Sequence, residues 1–253
     1  MLTILSPSKT QDFSLALRGA TSLPRFENES KILLKELQKL SADELESLMQ
    51  ISPKLALLNQ ERFAKMQFPF DEKNSKQAFW AFRGDVYDGL NADSFSDADI
   101  IFAQKHIRML SGFYGILRPC DLIQPYRLEM KTALKNPRGK NLYEFWGNQL
   151  TEILEKDAAN MQEKVLINLA SEEYAKAAQL KKINLRVITP IFKEQKGDKY
   201  VVTALFAKKA RGMAANFIIK NQIVNPEHLK TFSEAGYFFS EKLSDKNEWI
   251  FVR

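Results

Sequence analysis

Short apolar strands are scattered along this chain and separated by amphipathic helices of unequal length, and that interleaving constrains the fold more than any other feature. Leu2–Leu5 reads as a buried strand, closed at Ser6-Pro7 because proline cannot donate to a sheet. Residues 165–170 are apolar apart from Asn168 and read as another strand. Residues 186–192 and 200–207 flank a polar loop and predict a hairpin, and 236–239 and 249–252 are closing strands. Between them, Ile32, Leu33, Leu37 and Leu40 predict a helix over 29–40. Ser41-Ala42-Asp43-Glu44 supplies a capping box for a second, and Pro53 fits the first turn of a third. Ser96 caps a helix running toward His106, and helical spacing extends over 141–157 and 208–221. The aromatic run 79–82 reads as a strand leading into the turn Arg83-Gly84-Asp85. Together these elements predict one α+β domain over residues 1–253, with a mixed sheet and surrounding helices. A regular βαβ series is missing, so a Rossmann-type fold is the weaker alternative.

The charge is as unevenly placed as the apolar residues. Between Lys105 and Lys140 there are eight lysines and arginines against Asp121 and Glu129, a surplus equal to the formal net charge of the whole chain, +6. A surplus concentrated in this way can gather polyanions, phosphates above all. From Lys199 to Pro226 there are five further cations and no acid. If the helix there starts at Lys208, then Lys208, Lys209 and Arg211 crowd its positive end, at a cost of ~0.3–1 kcal/mol per exposed charge that a bound phosphate would reverse. A solvated, screened helix end is the plainer alternative.

Within the basic stretch, Gly112 and Gly115 lie three apart in an apolar run followed by Arg118-Pro119. Glycines that expose successive N–H groups to phosphate make this resemble the hairpin of a helix-hairpin-helix element, although the spacing is one residue longer than usual. A glycine turn needed only for packing fits the same residues. Lys9 follows a strand end, where it could contact phosphate or, with a depressed pKa, act as a nucleophile. Arg83 and Arg127 stand at turns, each with a carboxylate neighbour that could neutralise it.

Other chemistries lack support. There is no GxGxxG after the first strand and no Walker A sequence, so no cofactor is expected. Two histidines, His106 and His228, and one cysteine, Cys120, match no metal-ligand spacing, no disulfide framework and no nucleophile elbow. No stretch approaches the ~20 apolar residues of a membrane span. A soluble, cytoplasmic monomer is the expectation.

Taken together, SPSKT from Ser6, FRGDVYDGL from Phe82, RMLSGFYGILRPCDLIQPYRLEM from Arg108, GKNLYEFWG from Gly139, NLASEEY from Asn168, FAKKARGMAANFI from Phe206 and GYFF from Gly236 resemble the YaaA family of bacterial peroxide-stress resistance proteins. The resemblance covers nearly the whole chain in order. It implies a cytoplasmic protein that limits iron-dependent oxidative damage, a basic cleft with a helix-hairpin-helix-like element, and DNA as partner; the DNA expected is duplex or branched, bound without strong sequence specificity because no recognition helix is evident. It brings no settled enzymatic activity, and direct iron sequestration, which the family's physiology suggests, is poorly served by two histidines and one cysteine, so neither a metal site nor a cofactor is expected. Carried over by motif, the phosphate-binding candidates are Lys9, Arg83, Arg108, Arg118, Arg127, Lys208, Lys209 and Arg211, with Gly112 and Gly115 in the hairpin. The alternative is an enzyme acting on a nucleic acid, nucleotide or other phosphorylated small molecule in the same cleft.

Overall fold

A computed structural model describes residues 1–14 and 16–253. Its centre is a run of strands too apolar to leave either face in water. In chain order these are β1 (Leu2–Leu5), β2 (Ile107–Ser111), β3 (Gly115–Leu117), β4 (Val165–Leu169), β5 (Arg186–Lys196), β6 (Lys199–Val201), β7 (Phe238–Phe239) and β8 (Glu248–Val252). Every residue of β1, β2 and β4 is buried, as expected of strands covered on both sides. Among the described residues they form an eight-stranded sheet in the order β7-β8-β5-β4-β1-β2-β3, with β6 hydrogen-bonded to β5.

Four of the pairings are parallel. Thr3 is opposite Ile107 on one side and Ile167 on the other, Ile167 is opposite Ile188, and Ile191 is opposite Ile250. The sheet is therefore mixed but largely parallel, and the class is α/β rather than α+β. Parallel neighbours need long crossovers. The crossover from β1 to β2 alone contains six α-helices: α1 (Glu27–Leu37), α2 (Ala42–Met49), α3 (Pro53–Lys65), α4 (Ala78–Ala81), α5 (Asp85–Leu90) and α6 (Asp97–His106). Crossovers of such different lengths hid the βαβ logic from a reading of local pattern.

Local signals held where the chemistry was local. Ser41 and Ser96 each close a capping box, with Glu44 and Asp99, and Pro53 opens α3. Other boundaries moved. The expected helix over 141–157 divides into α7 (Leu142–Trp146) and α8 (Gln149–Ala159) at Gly147, whose φ of 48° ends the first. Residues 79–82 are mostly α4 rather than strand, and α9 (Glu172–Ala177) follows β4. The long helix α10 (Ala204–Lys220) begins four residues before Lys208, which removes Lys208, Lys209 and Arg211 from its first turn.

The helix-hairpin-helix expectation is corrected here. Gly112 and Gly115 lie in the connection of a β-hairpin, β2 to β3, with Ser111 paired to Gly115. Both glycines are buried. A Cβ on Gly112 would strike the Leu128 carbonyl, and one on Gly115, at φ 70°, would come within 2.8 Å of the Trp146 ring. The plainer reading of these glycines, room for packing, is the one the fold uses.

Two contacts fix the flanks. Helices α5 and α10 meet backbone to backbone, because a Cβ on Gly212 would collide with the Val86 carbonyl and one on Gly89 with the Lys209 carbonyl. On the other side, Asp157 of α8 accepts from Arg108 Nε at 2.6 Å and from Arg25 Nη1 at 2.8 Å, with the Arg108 side chain only 5% exposed. Burial alone would push the Asp157 carboxyl up, but the hydrogen bonds from Arg25 and the charge of Arg108 outweigh it and hold the pKa low. Among the described residues no helix is long and apolar enough to cross a membrane.

Both contacts can be tested in urea. Gly212→Ala should lower stability by about 1–3 kcal/mol through overpacking, whereas Gly197→Ala, with open space around it, meets only its φ of 59°. Asp157→Asn should cost about 3–5 kcal/mol at neutral pH, since it leaves Arg108 buried without its counter-charge. A depressed folded pKa contributes stability above the unfolded value near ~3.9 and loses it as pH falls through the folded value. The gap between wild type and Asp157→Asn should therefore narrow below about pH 4.

Candidate phosphate-binding cleft

Strand β1 leads to β2 on one side of the sheet, while β4, β5 and β8 lie on the other. Connections leave in opposite directions from the carboxyl ends of β1 and β4, and a crevice opens where they part. That crevice is a cavity of about 450 Å³. Its floor is the two strand ends. Ser171 N–H donates to Ser6 Oγ at 2.8 Å, the Ser6 hydroxyl lies 3.3 Å from Ser171 Oγ, and the Tyr87 hydroxyl donates to the Ser6 carbonyl at 2.9 Å.

The β1 loop is shaped by its serines. Ser8 Oγ accepts from Thr10 N–H at 3.1 Å and donates to the Arg83 carbonyl, turning the chain so that Lys9 faces the crevice. Opposite it runs the segment Tyr126-Arg127-Leu128-Glu129, held by a bond from Tyr126 N–H to Gln11 Oε1 (3.1 Å) and by the Tyr126 hydroxyl against Ser111 Oγ (2.7 Å). The third wall is α10, which the glycine contact sets against α5 so that Lys208 and Arg211 line the cavity beside Asp85.

Most of the cations here are already paired. Glu129 is the hub, 2.9 Å from Lys9 Nζ, 3.0 Å from Arg127 Nη2 and 3.8 Å from Lys131 Nζ. Burial pushes its carboxyl up, yet the bond and charge of Lys9, with Arg127 behind, hold it below its usual range, so it remains an anion at neutral pH. Lys208 lies at 4.0 Å from Asp85. Two guanidinium groups have donors left over. Arg127 Nε is buried and has no hydrogen-bond partner. Arg211, half-buried on the cavity wall, has no ion-pair partner among the described residues, and burial alone lowers its pKa.

Of the ten candidates read from sequence, Lys9, Arg127, Lys208 and Arg211 line this cleft. The others lie elsewhere. Arg108 is bound to Asp157, Arg118 to the buried Asp121 (2.9 Å) and the Leu23 carbonyl, and Arg83 faces Asp12 at 3.4 Å. Lys209 is exposed on α10 outside the cavity lining, and Gly112 and Gly115 are in the buried hairpin. Sequence reading passed over Ser6, Ser171 and the three tyrosines Tyr87, Tyr126 and Tyr174 of the lining. A signal did exist. Had the strands 2–5 and 165–170 been taken as parallel neighbours, Ser6 and Ser171 would have fallen at their shared carboxyl edge.

Thiol and histidine chemistry are absent from the cleft. His106 packs in the core with Nδ1 2.7 Å from the Met1 carbonyl, and burial lowers its pKa. Cys120 is buried and its thiol is pushed up to about 11 by burial and by the charge of Asp121. Among the described residues no group of three or more His, Cys, Asp or Glu side chains is placed to hold a metal ion. Because the thiolate is the reactive form, Cys120 in native protein at pH 8 should react with iodoacetamide or peroxide at least ~100-fold more slowly than in urea-unfolded protein, as read by intact mass against time.

Comparison with known proteins agrees over the same span. The family described as Peroxide stress protein YaaA matches residues 1–243. The chain is also similar to a UPF0246 protein of Cellvibrio japonicus (strain Ueda107), with 48% identity over 254 aligned residues that cover 100% of this chain and 98% of the relative. A match of that extent reaches every wall of the cleft, and the chain belongs to the peroxide stress protein YaaA family.

Proposed function

We propose that this protein serves in peroxide-stress resistance by binding DNA without sequence preference, the cleft between β1 and β4 taking one backbone phosphate at a time. The observation that carries this reading is the pair of guanidinium groups on the cleft that lack protein partners in part or in full: Arg127, whose buried Nε has none, and half-buried Arg211, which has no ion pair among the described residues. A guanidinium withdrawn from water without an acceptor is costly, and a phosphate supplies acceptors in the geometry that arginine favours. Lys9, Lys131 and Lys208 are more than half exposed at the rim, so they can reach phosphates of a long ligand without further desolvation.

The grip is smaller than ten residues would give. Arg83, Arg108 and Arg118 sit with carboxylates and contribute little to it. Iron held at DNA phosphates as a counterion is released with the other counterions when protein cations take those phosphates, which connects binding to limiting iron-dependent damage. A second reading rests on the compactness of the cavity and its place at the strand carboxyl ends, which suits a free nucleotide or other phosphorylated small molecule bound or transformed there.

Fluorescence anisotropy with labelled DNA at low salt tests the first reading. Binding should weaken with salt at a log–log slope no steeper than about −4.5, since Lys9, Arg127, Lys131, Lys208 and Arg211 take part. Arg211→Ala should reduce affinity at least ~10-fold and make the slope shallower by about 1. If wild type has no DNA affinity at low salt while mononucleotides raise its melting temperature, the second reading replaces the first.

A further inference from the structure

The carboxyl edge of the sheet carries a second feature beside the cleft. Strand β5 runs past the end of β4: its last pairing with β4 is at Ile188, yet it continues to Lys196. Its edge toward β8 stays occupied as far as Gln195, whose N–H donates to the Arg253 carbonyl at 2.8 Å. Strand β6, pairing with Glu194 to Lys196, therefore lies on the β4 side, above the strand end that floors the cleft. The hairpin forms a ledge beyond the cleft, whose lining it does not enter, and α10 runs from it to present Lys208 and Arg211 to the cavity.

The ledge is unusually apolar for a surface. Six of the ten exposed large hydrophobic side chains among the described residues fall between 200 and 243, and Tyr200, Val202, Leu205 and Phe206 are consecutive along β6 and the start of α10. Phe206 is 42% exposed. Arg253 stacks 4.8 Å from its ring centroid and 4.7 Å from that of Tyr237, and Arg253 is itself held by Glu194 at 2.6 Å. The Phe206 ring is thus backed by a guanidinium that Glu194 and Tyr237 hold in place. Around it cations are in surplus: Glu194 is taken up by Arg253, there is no acid from Lys199 to Pro226, and Lys209 lies one helical turn below while Lys208 faces the cleft.

An apolar ledge meant for a second copy of this chain or for a hydrophobic peptide would gain nothing from that cationic surplus. A polyanion with flat apolar faces fits both properties. We propose that the ledge is a stacking platform for unpaired bases of a single nucleic-acid strand, with Phe206 as the principal ring, while Lys209 beside it meets the backbone and Lys208 receives that backbone on the cleft side of the helix. Base stacking on an aromatic ring is tolerant of sequence and needs bases that are not already stacked in a duplex. This inference rests on the DNA-binding reading and adds to it the form of strand preferred.

Anisotropy with a fluorescein-labelled oligothymidylate of about a dozen nucleotides, long enough to cross ledge and cleft, is the test. Wild type should bind it more tightly than the corresponding duplex. Phe206→Ala should weaken binding by about five- to a hundred-fold, Phe206→Trp should retain it, and Ile101→Ala, which trims a still more exposed side chain on α6, should leave it unchanged. Thermal melts show whether each variant is folded. Equal affinity of wild type and a folded Phe206→Ala overturns the platform, as does tighter binding of duplex than of single strand. So does a wild-type dimer in sedimentation that Phe206→Ala dissociates, since the patch would then be a self-contact. The DNA reading fails separately, through loss of all nucleic-acid binding in wild type or indifference to Arg211→Ala.

Discussion

Strand β1 is buried on both faces and hydrogen-bonded in parallel along both edges, and much of the molecule follows from that. A four-residue apolar strand at the start of a chain can be satisfied in this way only at the middle of a sheet. Its neighbours, β2 and β4, then come from segments roughly 100 and 160 residues away, and their crossovers must leave in opposite directions. The crevice at the carboxyl end of β1 is a by-product of that reversal. Ser6 and Ser171 join its two sides, and the loops that follow them carry Lys9 on one and α9 on the other.

Electrostatics in the same region obey a different constraint. The basic surplus visible between Lys105 and Lys140 is not spent on one surface. Arg108 and Arg118 are consumed by Asp157 and Asp121 in holding the outer strands and loops together, while Arg127 shares Glu129 with Lys9 and Lys131. A count of charges along a chain therefore overstates the field at any one place. The cations that matter for an incoming anion are those with donors still free, and these are few.

What was legible in the sequence was whatever short-range chemistry dictates: the capping box at Ser41, the N-cap at Ser96, proline at the start of α3, the β5–β6 hairpin, the apolar strands β1 and β4 though not β2 and β3, and the family through its ordered motifs. Parallel pairing was not legible, because nothing near Leu2–Leu5 records that its partners lie beyond residue 100. Charge pairing failed for the same reason, since Arg108 and Asp157 are 49 positions apart and nothing local announces their meeting. The glycines of the β2–β3 hairpin were ambiguous on spacing, and only the Trp146 ring and the Leu128 carbonyl show which of the two readings applies.

The contact of α5 with α10 is made by main-chain atoms on both sides, with glycines where side chains would otherwise intervene. Side chains can adjust their rotamers to let neighbouring helices slide, but backbone atoms have no such slack. The two helices must therefore travel as one strut. Any breathing that widens the entrance has to come from the opposite bank, where a serine-rich loop carries Lys9, while Arg211 stays at a fixed height above the sheet.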